Sequence, residues 1–222
     1  MNSFINILTL VLTFPLLALA IFSGFDIPID SLGITGSEIS YQKEIFLAIG
    51  ICIFLIQIRR SSRRWMALNL VNKIDRFQWN EPVSLSRKKR ILTYNFMESA
   101  VMVSLGIGLL LTTTKTAIPA CVFFLFSLDS IIFSVFGRNK FRVGLSTKAI
   151  FVADREIILI YFTGLRKITV HQQTIYFDYI ENLQLRFPTN CIEENKLSGF
   201  FEKLETVIDK DRVFMNNINQ KK

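Results

Sequence analysis

Histidine and cysteine are scarce in this sequence. Of 222 residues, one is histidine, His171, and three are cysteine, Cys52, Cys121 and Cys191. A lone histidine with no neighbouring cysteine supplies no metal-ligand set, and the three cysteines have neither metal-ligand spacing nor the pattern of a disulfide framework. His171 is read as a surface residue on a strand beside the Gln172-Gln173 turn. Catalytic signatures are missing as well. There is no G-x-S-x-G and no His/Ser/Asp constellation in a suitable context. Gly106-Ile107-Gly108 falls inside an apolar run, whereas a phosphate loop needs a strand-to-helix turn. No cofactor is expected, and a non-enzymatic protein is favoured over an enzyme.

Charge is nearly absent from two long tracts, residues 4–58 and 91–136. Half of the residues are apolar and 21 are Phe, more than a soluble domain of this length usually needs. The formal charge of +8 could suggest nucleic acid, but the basic residues are not spread as a binding face would be. Ten of the 26 Lys/Arg lie in residues 59–90 and fourteen follow residue 137; Lys43 and Lys115 are the exceptions. Membrane topology accounts for that pattern without a nucleic-acid partner.

The basic stretch 59–90 organises the rest. It opens with Arg59, Arg60, Arg63 and Arg64, closes with Arg87, Lys88, Lys89 and Arg90, and holds two acids, Asp75 and Glu81. A basic segment between apolar spans is what a membrane protein keeps in the cytoplasm, and these eight residues are candidate contacts for anionic lipid headgroups. Residues 1–136 are therefore expected to form four transmembrane helices in two hairpins. The first is Ile5–Ser23, with Pro15 inside it. Ala18-Leu19-Ala20 resembles a signal-peptide cleavage site, but Met1-Asn2-Ser3 carries no positive charge and apolar residues continue past Ala20, which favours a retained helix. Residues 24–44 read as an external loop whose acids are Asp26, Asp30, Glu38 and Glu44. The second span is Ile45–Ile58, the third Tyr94–Thr113 and the fourth Ala117–Phe136.

Within the basic stretch, Met66, Leu70, Val71, Ile74 and Phe77 share one helical face. Two arrangements fit: an interfacial helix on the headgroups, or an extension of the second span that packs on a soluble domain. Glu81-Pro82 is expected to end that helix. On the third span Ala100, Ser104, Gly108 and Thr112 recur every four residues, a stripe that permits close helix packing and, more weakly, an oligomer seam. Glu98 and Asp129 are acids inside the spans, roughly 25 and 21 Å from the Lys115 turn by helical rise. Intramembrane acids are candidates for shared-proton or cation chemistry, against the blander reading that each is protonated or bonded to Ser99, Ser127 or Ser130.

After Lys140 the period changes from helix to strand. Residues 138–213 are expected to form a small cytoplasmic α+β domain, an antiparallel meander of about six strands with one C-terminal helix over about 192–209. Glu156–Phe162, apolar on both faces, reads as a central strand; Glu181-Asn182 reads as a turn. Asn190 with Glu193 reads as a capping box. Leu197, Phe200, Phe201, Leu204 and Ile208 form the helix's apolar stripe, with Phe201 taken as a core residue. Residues 214–222 read as a frayed tail. This element order, with Leu145-Ser146-Thr147-Lys148-Ala149-Ile150-Phe151-Val152 as first strands, resembles bacterial membrane proteins with a pleckstrin-homology-like cytoplasmic domain over about 140–210, a fold of usually seven strands. That resemblance implies a binding or assembly role and assigns no functional residue.

The sequence thus points to a multi-pass protein of the bacterial inner (plasma) membrane with both termini cytoplasmic, whose β-domain binds a protein partner. The alternatives are a small transporter or channel subunit using Glu98 and Asp129, or a membrane enzyme acting on lipids. With both termini and residues 59–90 inside, 24 of 26 basic residues share one side. A cysteine engineered at Ser86 is accordingly expected to resist impermeant thiol reagents in intact cells; labelling there would contradict the topology.

Overall fold

Four apolar runs become four helices in the computed structural model, which describes residues 2–29, 33–155, 157–180, 183–209 and 213–216. These are α1 (Asn2–Gly24), α2 (Gln42–Val71), α3 (Leu85–Thr112) and α4 (Ala117–Gly137). Each is long and apolar enough to cross a membrane. The chain divides into two compact units, Met1–Arg63 with Tyr94–Val135, and Arg64–Thr93 with Phe136–Lys222.

In the first unit the core is Leu16 and Ala20 of α1, Phe46 and Ile53 of α2, Met102 and Leu109 of α3, and Ala120, Val122, Phe123 and Phe126 of α4. Because α1 contributes to this core, Ala18-Leu19-Ala20 sits mid-helix among packed residues. Gly24 ends α1 where any side chain would collide: an added Cβ would lie 2.4 Å from the Thr112 carbonyl oxygen. The 24–44 segment, expected as plain loop, contains a two-stranded ladder, β1 (Pro28–Ile29) with β2 (Ile34–Thr35), and a 3-10 turn at Gly36–Glu38. Asp30 lies outside the described residues. A 3-10 turn at Thr114–Thr116 joins α3 to α4.

The second unit corrects the sequence reading of residues 64–93. α2 runs unbroken through Trp65 to Val71, so this stretch is an extension of the second span and not a separate interfacial helix. Its buried face is Ala67, Leu68 and Val71, while Met66 and Ile74 are exposed. Glu81-Pro82 does not end the helix; it closes a strand, β3 (Trp79–Pro82), and α3 starts at Leu85, nine residues before the expected span.

Six strands follow between Arg142 and Pro188: β4 (Arg142–Leu145), β5 (Ala149–Ala153), β6 (Ile157–Tyr161), β7 (Leu165–His171), β8 (Thr174–Tyr179) and β9 (Gln184–Pro188). They form two sheets, not one continuous meander. The first sheet has the order β3-β4-β5-β6, with Trp79 opposite Leu145 and Pro82 opposite Arg142. The second has the order β10-β7-β8-β9. The break falls between β6 and β7, where Gly164 adopts a positive φ of 77°. β6 is thus an edge strand although its composition suggested a central one. β10 (Phe214–Asn216) pairs parallel to β7, so the tail expected to fray from residue 214 begins as a strand. Residues 217–222, Glu156 and the Glu181-Asn182 turn lie outside the described residues.

Alternation explains the core. Val143 and Leu145 of β4, Ile150 and Val152 of β5, Ile168 of β7, Ile175 and Phe177 of β8 and Phe187 of β9 are all buried. The closing helix α5 (Glu194–Val207) begins after Glu193, which makes no side-chain cap bond, so the expected Asn190 capping box does not form. Asn190 lies in a 3-10 turn, Thr189–Cys191. Of the apolar stripe, Phe200 and Leu204 are fully buried and Ile208 nearly so, while Phe201 and Leu197 are half-buried. The Phe200 ring stacks on Phe187 at 5.6 Å and meets Trp79 edge-on at 5.1 Å. Phe200, not Phe201, is therefore the residue on which docking of α5 depends. Phe200→Ala should cost about 3–5 kcal/mol, the usual range for a fully buried Phe. Thermal unfolding of the detergent-solubilised full chain should show a larger loss for Phe200→Ala than for Phe201→Ala. Equal losses would contradict the packing.

Candidate functional site

Polar groups inside the first unit are few, so each one counts. Arg60 on α2 donates to Glu98 on α3 from both terminal guanidinium nitrogens, at 2.6 and 3.3 Å. The two side chains are 16% and 13% exposed. A fork of this kind fixes the direction of the carboxylate. The pair sets a cation beside Glu98 and engages Arg60, one of the candidate headgroup contacts, with that acid. One residue on, Ser99 faces Ser127 of α4 with the hydroxyls 2.6 Å apart, both buried. Asp129 is half-buried on α4, two residues past Ser127. Glu98 and Asp129 are thus within roughly 3 Å of the serine layer by helical rise, at matching levels.

One turn before Ser99, Asn95 is fully buried, and neither its Oδ1 nor its Nδ2 has a hydrogen-bond partner. The packed face of α3 is Asn95, Ser99, Met102, Gly106 and Leu109. The spaced stripe Ala100, Ser104, Gly108 and Thr112 lies elsewhere. Ala100, Ser104 and Gly108 are exposed, Thr112 is half-buried, and nothing lies within 4 Å of where a Gly108 Cβ would be. Gly106 is the position of close approach, since a Cβ there would meet the Phe124 ring at 2.9 Å. Period-four spacing found small residues but not the face that packs.

At the other end of these helices Gln42 is a junction that sequence reasoning missed. Its Oε1 accepts from Ser23 Oγ at 2.8 Å and from Lys115 Nζ at 2.5 Å, and its Nε2 donates to the Gly36 carbonyl. The signal available was Lys115 itself, a base isolated from all others but Lys43. In the segment between α1 and α2 Asp26 is held below its ordinary carboxylate value, first by hydrogen bonding with Ser37 and then with Thr35.

In the second unit the start of α3 is tied to the turn before α5. Ser84 N–H donates to the Cys191 carbonyl at 2.8 Å, and Ser84 Oγ to the Asn190 carbonyl at 2.7 Å. Arg87 sends Nε and a terminal nitrogen to Asp154 Oδ2 at 2.9 and 2.7 Å, and the Asp154 side chain is 2% exposed. Arg87 is thereby structural, leaving the headgroup candidates thinner. Arg64 is buried. Arg63 is half-buried, and Lys88 donates to Asn139 Oδ1 at 3.1 Å. Arg59, Lys89 and Arg90 are exposed. The Cys191 thiol is pushed up to about 12, chiefly by burial and secondly by the Asp154 charge, which makes it inert at neutral pH. Lys196 and Glu81 join α5 to β3 at 2.7 Å, a half-exposed pair of small energetic weight.

Between the starts of α3 and α5 lies a cleft of about 760 Å³, lined by Ser84, Leu85, Thr189, Asn190, Leu197 and Phe201 among others. Glu193 and Glu194 are its only ionisable lining groups. It carries hydroxyl, amide, carboxylate and apolar surface, the chemistry of a site that can hold a ligand or peptide. His171 is exposed at the β7–β8 turn. Among the described residues no group of three or more His, Cys, Asp or Glu could hold a metal ion.

The Arg60–Glu98 pair generates a direct test. Removing one member of a largely enclosed pair strands the other charge, while replacing both by apolar residues is often neutral. Arg60→Met and Glu98→Leu should each destabilise the solubilised protein, and the double variant should recover most of the loss. Additive losses would contradict the pairing.

No family model matches this chain, and no curated protein or solved structure matches it either.

Proposed function

We propose that this chain is a non-enzymatic, multi-pass protein of a bacterial inner membrane, with both termini and its β-domain in the cytoplasm, and that the β-domain serves protein interaction or complex assembly. The observation that carries this reading is the contribution of residues 79–91 to the β-domain. A connection between two candidate spans is built into a packed core and lines a ligand-sized cleft. Charge supports the orientation, since 24 of 26 basic residues then face the anionic cytoplasmic leaflet. Arg59, Lys89 and Arg90 are the exposed candidates for headgroup contact. The β-domain adds β3 and β10 to the six strands expected, as two four-stranded sheets with a closing helix, and a pleckstrin-homology-like arrangement is part of the proposal. A transporter built on Glu98 and Asp129 is weakened by the engagement of Glu98 with Arg60.

A photo-crosslinking residue at Ser198, on the cleft, provides the test in native membranes. The assembly reading expects a discrete protein adduct that diminishes when Phe201 is replaced by Asp. Lipid adducts alone, or none, would overturn it.

A further inference from the structure

The four edges of the two sheets are not protected alike. An edge strand exposes unpaired backbone groups, and proteins blunt such edges with proline, charge or brevity. β3 carries Glu81 and ends on Pro82; β9 carries Arg186 and ends on Pro188; β10 has three residues. β6 is Ile157-Ile158-Leu159-Ile160-Tyr161, with neither proline nor charge. Among the described residues its only strand partner is β5.

The ladder fixes which groups of β6 point outward. Ile160 lies opposite Ile150 and Ile158 opposite Val152, and the Phe162 amide donates to the Lys148 carbonyl at 2.8 Å. Hydrogen-bonded pairs alternate in an antiparallel ladder, so Phe162, Ile160 and Ile158 turn their backbone groups to β5. Ile157, Leu159 and Tyr161 turn theirs away from it. The Tyr161 carbonyl accepts the Tyr179 hydroxyl, using one of its two lone pairs. No bond from the outward groups of Ile157 or Leu159 occurs among the described residues. On the side chains, Ile160 is buried, Ile157, Ile158 and Leu159 are half-buried and Tyr161 is exposed.

We propose that β6 pairs antiparallel with β6 of a second copy of this chain about a two-fold axis at Leu159, joining two four-stranded sheets into one. The strand is complementary to itself in this register. Leu159 meets Leu159, Ile157 meets Tyr161 and Ile158 meets Ile160, so every cross-strand pair is apolar. The outward groups of Leu159 form one hydrogen-bonded rung with their own counterparts, and Ile157 with Tyr161 forms a rung on each side. No other partner is guaranteed to bring a strand of matched length, chemistry and register. Each copy does, and such an interface closes on itself. Confinement of both copies to one membrane raises their effective concentration further.

The inference rests on the assembly reading above and names its partner. The test uses the full chain in its membrane with Cys52 and Cys121 replaced by Ala. In the proposed register Leu159 and its counterpart have Cα atoms about 5.5 Å apart, within disulfide reach. Ile157 and its own counterpart are about 14 Å apart, which is out of reach. Mild oxidation should therefore crosslink Leu159→Cys and the double variant Ile157→Cys/Tyr161→Cys, and leave Ile157→Cys monomeric. Leu159→Lys, which sets two like charges opposite each other, should lower the dimer fraction about tenfold in light scattering of the solubilised chain. Failure of Leu159→Cys to crosslink overturns the inference, as does equal crosslinking by Ile157→Cys or a Leu159→Lys dimer of undiminished abundance. A wild-type chain that stays monomeric but still yields a discrete Ser198 adduct overturns the pairing and leaves the assembly reading standing.

Discussion

Pairing of β3 with β4 is the constraint on which the second unit depends. It takes four residues from the connection between α2 and α3 and makes them the first strand of a sheet whose other strands lie beyond α4. Three further ties keep that connection in place. Ser84 bonds to the Asn190 and Cys191 carbonyls, Arg87 forks onto the buried Asp154, and the Trp79 ring packs edge-on against Phe200. Remove β3 and Leu145 loses one of its two strand partners and Phe200 a ring contact; lose the Arg87 fork and the buried Asp154 carboxylate loses a cationic partner. An uncompensated buried carboxylate is among the costlier defects a domain of this size can carry.

The first unit solves a different problem. In an apolar interior, polar groups must find one another or remain as a cost. Arg60 and Glu98 do so as an ion pair, Ser99 and Ser127 as facing hydroxyls, and Gln42 gathers Ser23, Lys115 and the Gly36 carbonyl. Asn95 stands apart as a buried amide with no hydrogen-bond partner among the described residues. Two of these three groupings bring side chains from different helices into fixed pairs, so they set the register of α2 against α3 and of α3 against α4. Large apolar side chains alone specify such registers less sharply.

How much of this was legible in the sequence follows from the length of each signal. The four apolar runs were, because a span announces itself over some twenty residues. The change to strand period after Lys140 was also readable, as was the apolar stripe of α5. β3 was not: Trp79-Asn80-Glu81-Pro82 is short, charged and ends on proline, so nothing local separates it from a loop. β6 misled for the opposite reason. Composition reports how apolar a strand is and not whether it has one neighbour or two, and Ile157–Tyr161 has the composition of a central strand at an edge. Phe201 and Phe200 are adjacent, and a stripe wide enough to include both cannot say which is buried. The ion pairs Arg60–Glu98 and Arg87–Asp154 join residues 38 and 67 positions apart, a separation no local pattern encodes.

Hydrogen exchange of the full chain, solubilised and kept native, tests the central claim most directly. If Trp79–Pro82 is a strand of the β-domain, the amides of Gln78, Glu81 and Val83, which face β4, should be protected to the same order as those of β4 and β5, since all would open together with the sheet. Exchange of every amide in this segment at the rate of an open loop, with β4 and β5 still protected, would contradict it.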